Sequence, residues 1–196
     1  MNSKERFNNL LNHLTYDLIR ECLHEIPRMS SAGEDGMTVD QARENLSWLL
    51  RPILKQIHEG RYRPPAVKRV YIPEGNGKVR PIGIPSVLDR AIQVAMTRIL
   101  NEIYEQDFLT CSFGFRAGLS CHHALATVGE VLYRLKLEHV LEVDIQDFFG
   151  SLSHEWLMKF LSLRVGDNRV LKLVEAWLKA GVMEECAWRE SEKGTP

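Results

Sequence analysis

Apolar residues recur at helical spacing over much of this chain. A first stripe predicts an amphipathic helix that ends before Pro27, since its members follow at intervals of three or four residues: Phe7, Leu10, Leu11, Leu14, Leu18 and Cys22. A second helix should begin at Thr38, because Gln41 stands three residues later, as in a capping box. Pro52 should kink that helix and Gly60 should close it.

The pattern changes twice further along the chain. Residues 61–85 alternate charged and β-branched residues around the sequence EGNGK, which predicts a β-hairpin with glycines at positive φ. A short apolar run over 139–144 predicts a strand that ends at Asp144. Helical stripes return from Leu88 to about Tyr104, near 121–137, after Ser153 and beyond the sequence GDN.

Composition and charge narrow the class of protein. The 196 residues are 44% hydrophobic and 26% charged, which is typical of a globular protein of one or two domains. The net charge of -1 indicates neither nucleic-acid nor membrane binding, and no apolar run reaches the roughly 18 residues of a membrane span. With no signal peptide at the N-terminus, we expect a cytoplasmic protein. The four cysteines lack CxxC spacing, so neither a zinc site nor a disulfide framework is indicated.

Asp144 is the first residue with candidate chemistry. A carboxylate held at the end of a short strand suits Mg²⁺, which accepts one or two carboxylates together with substrate phosphates. The backbone carbonyl of Ile145 could supply another oxygen ligand. The alternative is structural, because Asp often caps the turn that follows a strand. Both interpretations stay open on spacing alone.

The hairpin concentrates positive charge, with six basic residues against one acid over residues 61–80. Lys78 and Arg80 are two apart on one strand, so both should point to one face and could clamp a triphosphate. Alternatively, they could protect an edge strand against aggregation. A separate strip suits a nucleic-acid backbone: Arg61, Arg63, Lys68 and Arg69, interleaved with Tyr62 and Tyr71. In the sequence SFGFR, Phe113 and Phe115 could stack on bases or pack in a core, and Arg116 could reach a phosphate.

Five ordered blocks resemble the reverse transcriptases encoded by bacterial group II introns, which also act as maturases: GEDGMT, YRPPAVKRVYIPEGNGKVRPIGIPSVLDR, CSFGFRAGLSCHHAL, VDIQDFFGSLSH and KGTP. The resemblance implies an α+β, right-hand polymerase fold with fingers and a ferredoxin-like palm. It divides the chain into an N-terminal helical extension (1–32), fingers that include the hairpin (33–138) and a partial palm (139–196).

The resemblance also implies roles for single residues. Asp144 corresponds to the palm aspartate that binds two catalytic Mg²⁺ ions, with Ile145 contributing its backbone, and Phe149 crowds the sugar 2′ position. The incoming dNTP should lie against Lys78, Arg80, Gln146, Asp147, Phe148 and Phe149, and template RNA against Arg61, Arg63, Lys68, Arg69, Phe113 and Arg116. The sequence departs from the family in two respects: Glu74 stands where a basic residue is usual, and Asp147 and Gly150 exchange the usual Gly and Asp.

The expected function is RNA-directed DNA synthesis from a DNA primer on intron RNA, in retrohoming and splicing. The family's Tyr-x-Asp-Asp sequence does not occur in the chain. We therefore expect a fragment, truncated before that hairpin, that does not polymerise alone. The alternatives are a non-catalytic RNA-binding maturase module and a reverse transcriptase of the retron, diversity-generating or defence type. A homodimer is a further assembly that we consider, and no membrane partner is expected.

Overall fold

A computed structural model of the protein describes residues 5–185, 187–190 and 193–195. The chain forms two compact units. The first comprises Met1–Ile99 and Asp147–Pro196, and the second comprises Leu100–Gln146. These two units do not test the predicted division into extension, fingers and partial palm, which stays a prediction.

The N-terminal stripe forms two helical pieces rather than the single helix predicted. A 3-10 turn spans Leu10–His13, and helix α1 spans Tyr16–Glu25. The side chain of Thr15 accepts a hydrogen bond from the N–H of Leu18 at 3.2 Å, so it caps α1 and starts a new helix there. The end of α1 before Pro27 agrees with the prediction.

The second predicted helix is also divided, into α2 (Val39–Glu44) and α3 (Leu46–His58). Its start is confirmed, because Thr38 and Gln41 form the reciprocal bonds of a capping box. The interruption falls at Asn45, whose side-chain amide donates to the Gln41 carbonyl at 3.0 Å in competition with the helix backbone. The interruption at Asn45 was not predicted, and Pro52 lies inside α3, where the kink expected from it stays a prediction.

One four-stranded sheet has the order β2-β1-β3-β4. Strands β1 (Val67–Pro73) and β2 (Val79–Ile84) form the predicted antiparallel hairpin, and Gly77 supplies a positive φ of 75° in its turn. Strand β3 (Val182–Glu184) runs parallel to β1, and β4 (Ala187–Arg189) pairs antiparallel with β3. The last two strands were not predicted, because three residues are too few to show an alternating pattern.

Helices supply most of the buried core. The described chain also contains α4 (Val87–Tyr104), α5 (Cys121–Leu135), α6 (Phe148–Ser151), α7 (His154–Ser162) and α8 (Asn168–Leu178). All but the short α6 were predicted. In the first unit the fully buried side chains include Leu11, Leu14, Ile19, Leu23, Leu50, Ile57, Ile92 and Val165. None of the helices in the described residues is long and apolar enough to cross a membrane.

The N-terminal segment is fixed to the loop between α7 and α8. Phe7 pairs with Val165, its N–H donates to the Arg164 carbonyl, and its carbonyl accepts from Gly166, both at 2.8 Å. The buried carboxylate of Asp167 accepts from the N–H of Leu11 at 3.1 Å. Although burial raises the pKa of Asp167, its hydrogen bonds from Arg169 and Leu11 outweigh that effect and lower it. The extension is therefore part of the packed first unit.

The predicted strand over 139–144 is not formed. Residues 136–145 have neither helix nor strand, and Val140, Leu141 and Val143 are 69%, 88% and 78% exposed. A strand needs a neighbour to satisfy its N–H and C=O groups, and no described strand pairs with this run. Apolar composition alone therefore misled the prediction.

Candidate functional site

The hairpin register places its basic side chains on two faces. Arg80 pairs with Ile72 and Lys68 with Ile84, so Lys68 and Arg80 share one face of the two strands. Lys78 precedes Arg80 by two residues in extended backbone and belongs to the same face. The shared face of Lys78 and Arg80 agrees with the prediction, and Lys68 joins them there.

Arg69 lies on the opposite face, because successive residues of a strand alternate. Its neighbour on that face is Tyr71, whose hydroxyl donates to Glu184 on β3 and whose pKa is raised by that bond. Glu184 also forms an ion pair with Arg189, at 3.2 Å. The basic strip predicted from sequence is therefore divided, with Lys68 on one face of the hairpin and Arg69 on the other.

Several hairpin cations are available to an anionic ligand. Among the described residues, Arg63, Lys68, Lys78 and Arg80 form no ion pair. Arg61 differs, because its guanidinium pairs with Glu59 and lowers the pKa of that carboxyl. Charge-assisted hydrogen bonds to phosphate are stronger than neutral ones, so unpaired cations on one face suit a phosphate ligand.

A buried carboxylate that the sequence analysis missed anchors the strip. Asp89 is 1% exposed and accepts hydrogen bonds from Tyr62 at 2.9 Å, Trp177 at 3.1 Å and Ser86 at 3.3 Å. Burial raises the pKa of Asp89, and burial beside this carboxylate raises that of Tyr62. The Tyr62 bond ties the side chain between Arg61 and Arg63 to Asp89 on α4. The spacing of Ser86 and Asp89 is a capping pattern before an apolar run, and that signal could have found the pair.

In the second unit, Arg116 is held by its own loop. Its guanidinium donates to Glu105 at 2.6 and 3.0 Å and to the carbonyls of Leu109 and Ser112 at 3.2 and 2.6 Å. It also lies 5.2 Å from the centre of the Phe108 ring. These contacts give Arg116 a structural role that competes with the predicted phosphate contact.

The two phenylalanines of that loop differ in exposure. Phe113 is half-buried, whereas Phe115 is fully exposed and has a φ of 58°. Positive φ is uncommon for a bulky residue, since its Cβ crowds the backbone. Core packing therefore does not account for Phe115, which leaves its ring available for contact from outside.

Asp144 and Ile145 also lie in the second unit, in an exposed segment. One carboxylate and a neighbouring carbonyl are a partial ligand set for Mg²⁺, which commonly takes one or two carboxylates and completes its shell with phosphates and water. Across the described part of the chain, no group of three or more His, Cys, Asp or Glu side chains is arranged to hold a metal ion. The residues present thus fit one portion of a metal site.

The residues after Gln146 enter the first unit and turn sharply. Asp147 has φ and ψ of 47° and precedes the four-residue helix α6. The rings of Phe148 and Phe149 meet edge to face at 5.2 Å, and each is about half exposed. Both rings therefore stay accessible beside the turn.

Two of the sequence blocks meet within the first unit. The N–H of Thr195 donates to the Phe149 carbonyl at 3.0 Å, and that of Gly194 donates to the Leu152 carbonyl at 2.9 Å. The ring of His154 donates from Nε2 to the Gly194 carbonyl at 2.6 Å. The KGTP sequence is thus joined to the α6 turn, and sequence reasoning missed His154 as the linking residue.

The family model described as reverse transcriptase (RNA-dependent DNA polymerase) matches residues 72–196, which include β2, Asp144 and the α6 turn. This chain belongs to the reverse transcriptase family. Members of this family act on RNA templates and generally use divalent metal ions. The match covers most of the blocks on which the resemblance was based.

The similar proteins include one encoded by a group II intron. The chain is 36% identical to Protein YkfC of Escherichia coli over 84% of its length, and 31% identical to the group II intron-encoded protein LtrA of Lactococcus lactis over 100%. It spans 44% and 33% of those two proteins. The solved partial Cas6-RT-Cas1–Cas2 complex aligns with 97% of this chain and 31% of its own chain, at a TM-score of 0.56 and 22% identity. That likeness confirms the mixed helix-and-sheet polymerase fold.

Proposed function

We propose that this chain supplies the fingers and partial palm of an RNA-directed DNA polymerase of the group II intron type. The observation that supports this most is the family match, which includes a hairpin face with two unpaired cations, Lys78 and Arg80. A polymerase of this kind joins a primer 3′-hydroxyl to the α-phosphate of a dNTP. Its proposed substrates are therefore an intron RNA template, a DNA primer and dNTPs.

In this proposal, Lys78 and Arg80 bind the triphosphate of the incoming nucleotide. Arginine suits phosphate because its planar fork can form two parallel hydrogen bonds, and lysine acts as a compact point charge. The segment Gln146–Phe149 borders the same nucleotide, and Phe149 excludes a ribose 2′-hydroxyl by its bulk. The exposure of both phenylalanine rings supports a contact with a ligand.

Asp144 and the carbonyl of Ile145 would hold Mg²⁺. When bound, the metal stabilises charge on the reacting phosphate and orients the nucleophile. Two-metal catalysis needs further carboxylates, which the family places on a Tyr-x-Asp-Asp hairpin that these 196 residues do not contain. We therefore propose that polymerisation requires the protein at its native length and that this chain alone only binds.

Template RNA would contact the basic strip. Arg61 and Arg63 flank the anchored Tyr62, and Lys68 and Arg69 offer one cation to each face of the hairpin. The half-buried Phe113 borders the same RNA. Arg116 is assigned instead to holding its own loop, because four hydrogen bonds already occupy its guanidinium.

The test is single-nucleotide incorporation by the native-length protein on an RNA template. Replacing Lys78 and Arg80 by Ala should raise the KM for dNTP by roughly 10- to 100-fold, since a hydrogen bond to a charged group contributes about 1.5–3 kcal/mol. Arg51→Ala, on an exposed part of α3, is the matched control and should leave the KM unchanged. Absence of incorporation by the wild type, or an unchanged KM in the double variant, would contradict the proposal.

A second candidate function is an RNA-binding maturase module without chemistry, favoured by cations on both hairpin faces. Replacing Arg63 and Arg69 by Ala should then reduce the slope of log affinity for intron RNA against log salt by about 1 for each phosphate that the variant no longer binds. RNA binding with a normal slope in the Arg51→Ala control, but no incorporation of any dNTP, would favour this alternative over the polymerase.

A further inference from the structure

We infer that His154 is a positioning residue that fixes Phe149 through the backbone strap Gly194–Thr195. The inference rests on the proposed function, because it concerns the residue proposed to discriminate the nucleotide sugar. Nothing in the roles assigned above uses His154, although it joins segments 40 residues apart in sequence. The strap and α6 both belong to the first unit.

The strap satisfies the end of a very short helix. The last carbonyls of a helix have no partner within it, and α6 has only four residues. Thr195 donates to the Phe149 carbonyl and Gly194 to that of Leu152, at 3.0 and 2.9 Å. The backbone of Phe149 is therefore held from outside α6.

His154 in turn holds the strap. It is the first residue of α7, whose start is fixed by the Ser153 side chain accepting from the N–H of Trp156. From this position its Nε2 donates to the Gly194 carbonyl at 2.6 Å, and the ring is partly buried. The His154 donor on α7 therefore fixes the position of the strap relative to α6.

The backbone of Gly194 lies so close to α6 that no side chain fits between them. Gly194 has a φ of 77°, and a Cβ atom there would lie 2.8 Å from the carbonyl oxygens of both Phe149 and Gly150. The side chain of Phe149 is 55% exposed and meets Phe148 edge on. A ring with so little packing takes its position from its backbone, and that backbone is held by the strap.

The expected consequence is a change in sugar selection. Losing the His154 bond should let Phe149 shift and admit a ribose 2′-hydroxyl, while Lys78 and Arg80 still bind the triphosphate. A purely structural loss would instead lower the incorporation of dNTP and rNTP by the same factor. The ratio of the two kcat/KM values therefore separates positioning from general damage.

The experiment measures that ratio in the native-length protein. His154→Phe keeps a ring without a donor and should reduce preference for dNTP by roughly 2- to 10-fold. His154→Gln retains a donor and should restore most of the preference. His58→Phe is the matched control, because His58 also donates to a backbone carbonyl, that of Leu54 on its own helix α3. Equal preference in wild type and His154→Phe would overturn the inference.

A second measurement separates this inference from the proposed function. Amide hydrogen exchange of Thr195 in the 196-residue chain should accelerate in His154→Phe and in Gly194→Ala, and stay unchanged in His58→Phe. Unchanged exchange in His154→Phe would overturn the strap role. Failure of the proposed function would look different: Phe149→Ala would leave sugar preference unchanged, or the wild type would incorporate no nucleotide.

Discussion

The two units bury their apolar stripes to very different extents. In the first unit, Leu11, Ile19, Leu50 and Ile92 are completely buried. In the second, α5 has a stripe of the same spacing but no buried residue, and Leu125 and Leu135 are 68% and 65% exposed. Helical periodicity therefore predicts that a helix forms, but burial depends on which other elements pack against it.

This contrast has an energetic consequence. Full burial of a leucine contributes about 1.5–3 kcal/mol, so the first unit contains most of the chain's hydrophobic stabilisation. Regions with few buried apolar contacts open at lower free energy than a packed core. We expect the second unit to exchange its amide hydrogens earlier than the first.

Two leucine truncations should show the largest difference in stability between the two units. Leu50→Ala should reduce the free energy of unfolding by about 2–5 kcal/mol, because it leaves a cavity in the core. Leu125→Ala should change it by no more than about 0.5 kcal/mol, since that side chain is already exposed. Urea denaturation followed by circular dichroism measures both. Equal losses would show that α5 is packed as tightly as α3.

A smaller effect is expected at the polar anchor of the first unit. Asp89→Ala should cost about 1–3 kcal/mol, because the Tyr62 hydroxyl and the Trp177 indole N–H lose their acceptor. Asp17→Ala is the control: Asp17 also lies in the first turn of a helix but is exposed. Thermal unfolding of both variants gives the difference, and a cost no greater than that of Asp17→Ala would remove Asp89 as an anchor.

The smallest expected effect is a pH dependence at the same carboxyl. Burial raises the pKa of Asp89 in the folded state, so its stabilising contribution is complete below the unfolded pKa and is lost as pH rises through the folded value. Asp89→Asn does not titrate. The stability of this variant relative to wild type should therefore rise between about pH 4 and pH 7. A constant difference over that interval would contradict the raised pKa.

Local signals predicted the hairpin and most helix starts. Thr38 and Gln41 are three residues apart, and Gly77 lies within the turn that it permits, so short stretches contain the whole cause of each structure. The family and its mixed fold were also predictable, because several motifs recur in a fixed order. These features need no knowledge of distant partners.

Features that depend on distant partners were not predicted correctly. The run that ends at Asp144 has strand composition but no described neighbour, so no strand forms. The opposite faces of Lys68 and Arg69 follow from alternation and could have been inferred. The bond from His154 to Gly194 could not, because it joins residues far apart in sequence. Contacts between residues far apart in sequence thus decide whether a strand forms and which loops are joined, and the local sequence pattern does not show these contacts.

The proposed role of Asp144 in polymerisation is tested most directly by incorporation of one dNTP on an RNA template, with the native-length protein and Mg²⁺. Asp144→Asn should lower the rate by about 10³-fold or more, since metal stabilisation contributes several kcal/mol, while RNA affinity stays unchanged. Glu142→Gln, two residues earlier in the same exposed segment, should retain the wild-type rate. Incorporation by Asp144→Asn at the wild-type rate would contradict the proposal that Asp144 holds the catalytic Mg²⁺.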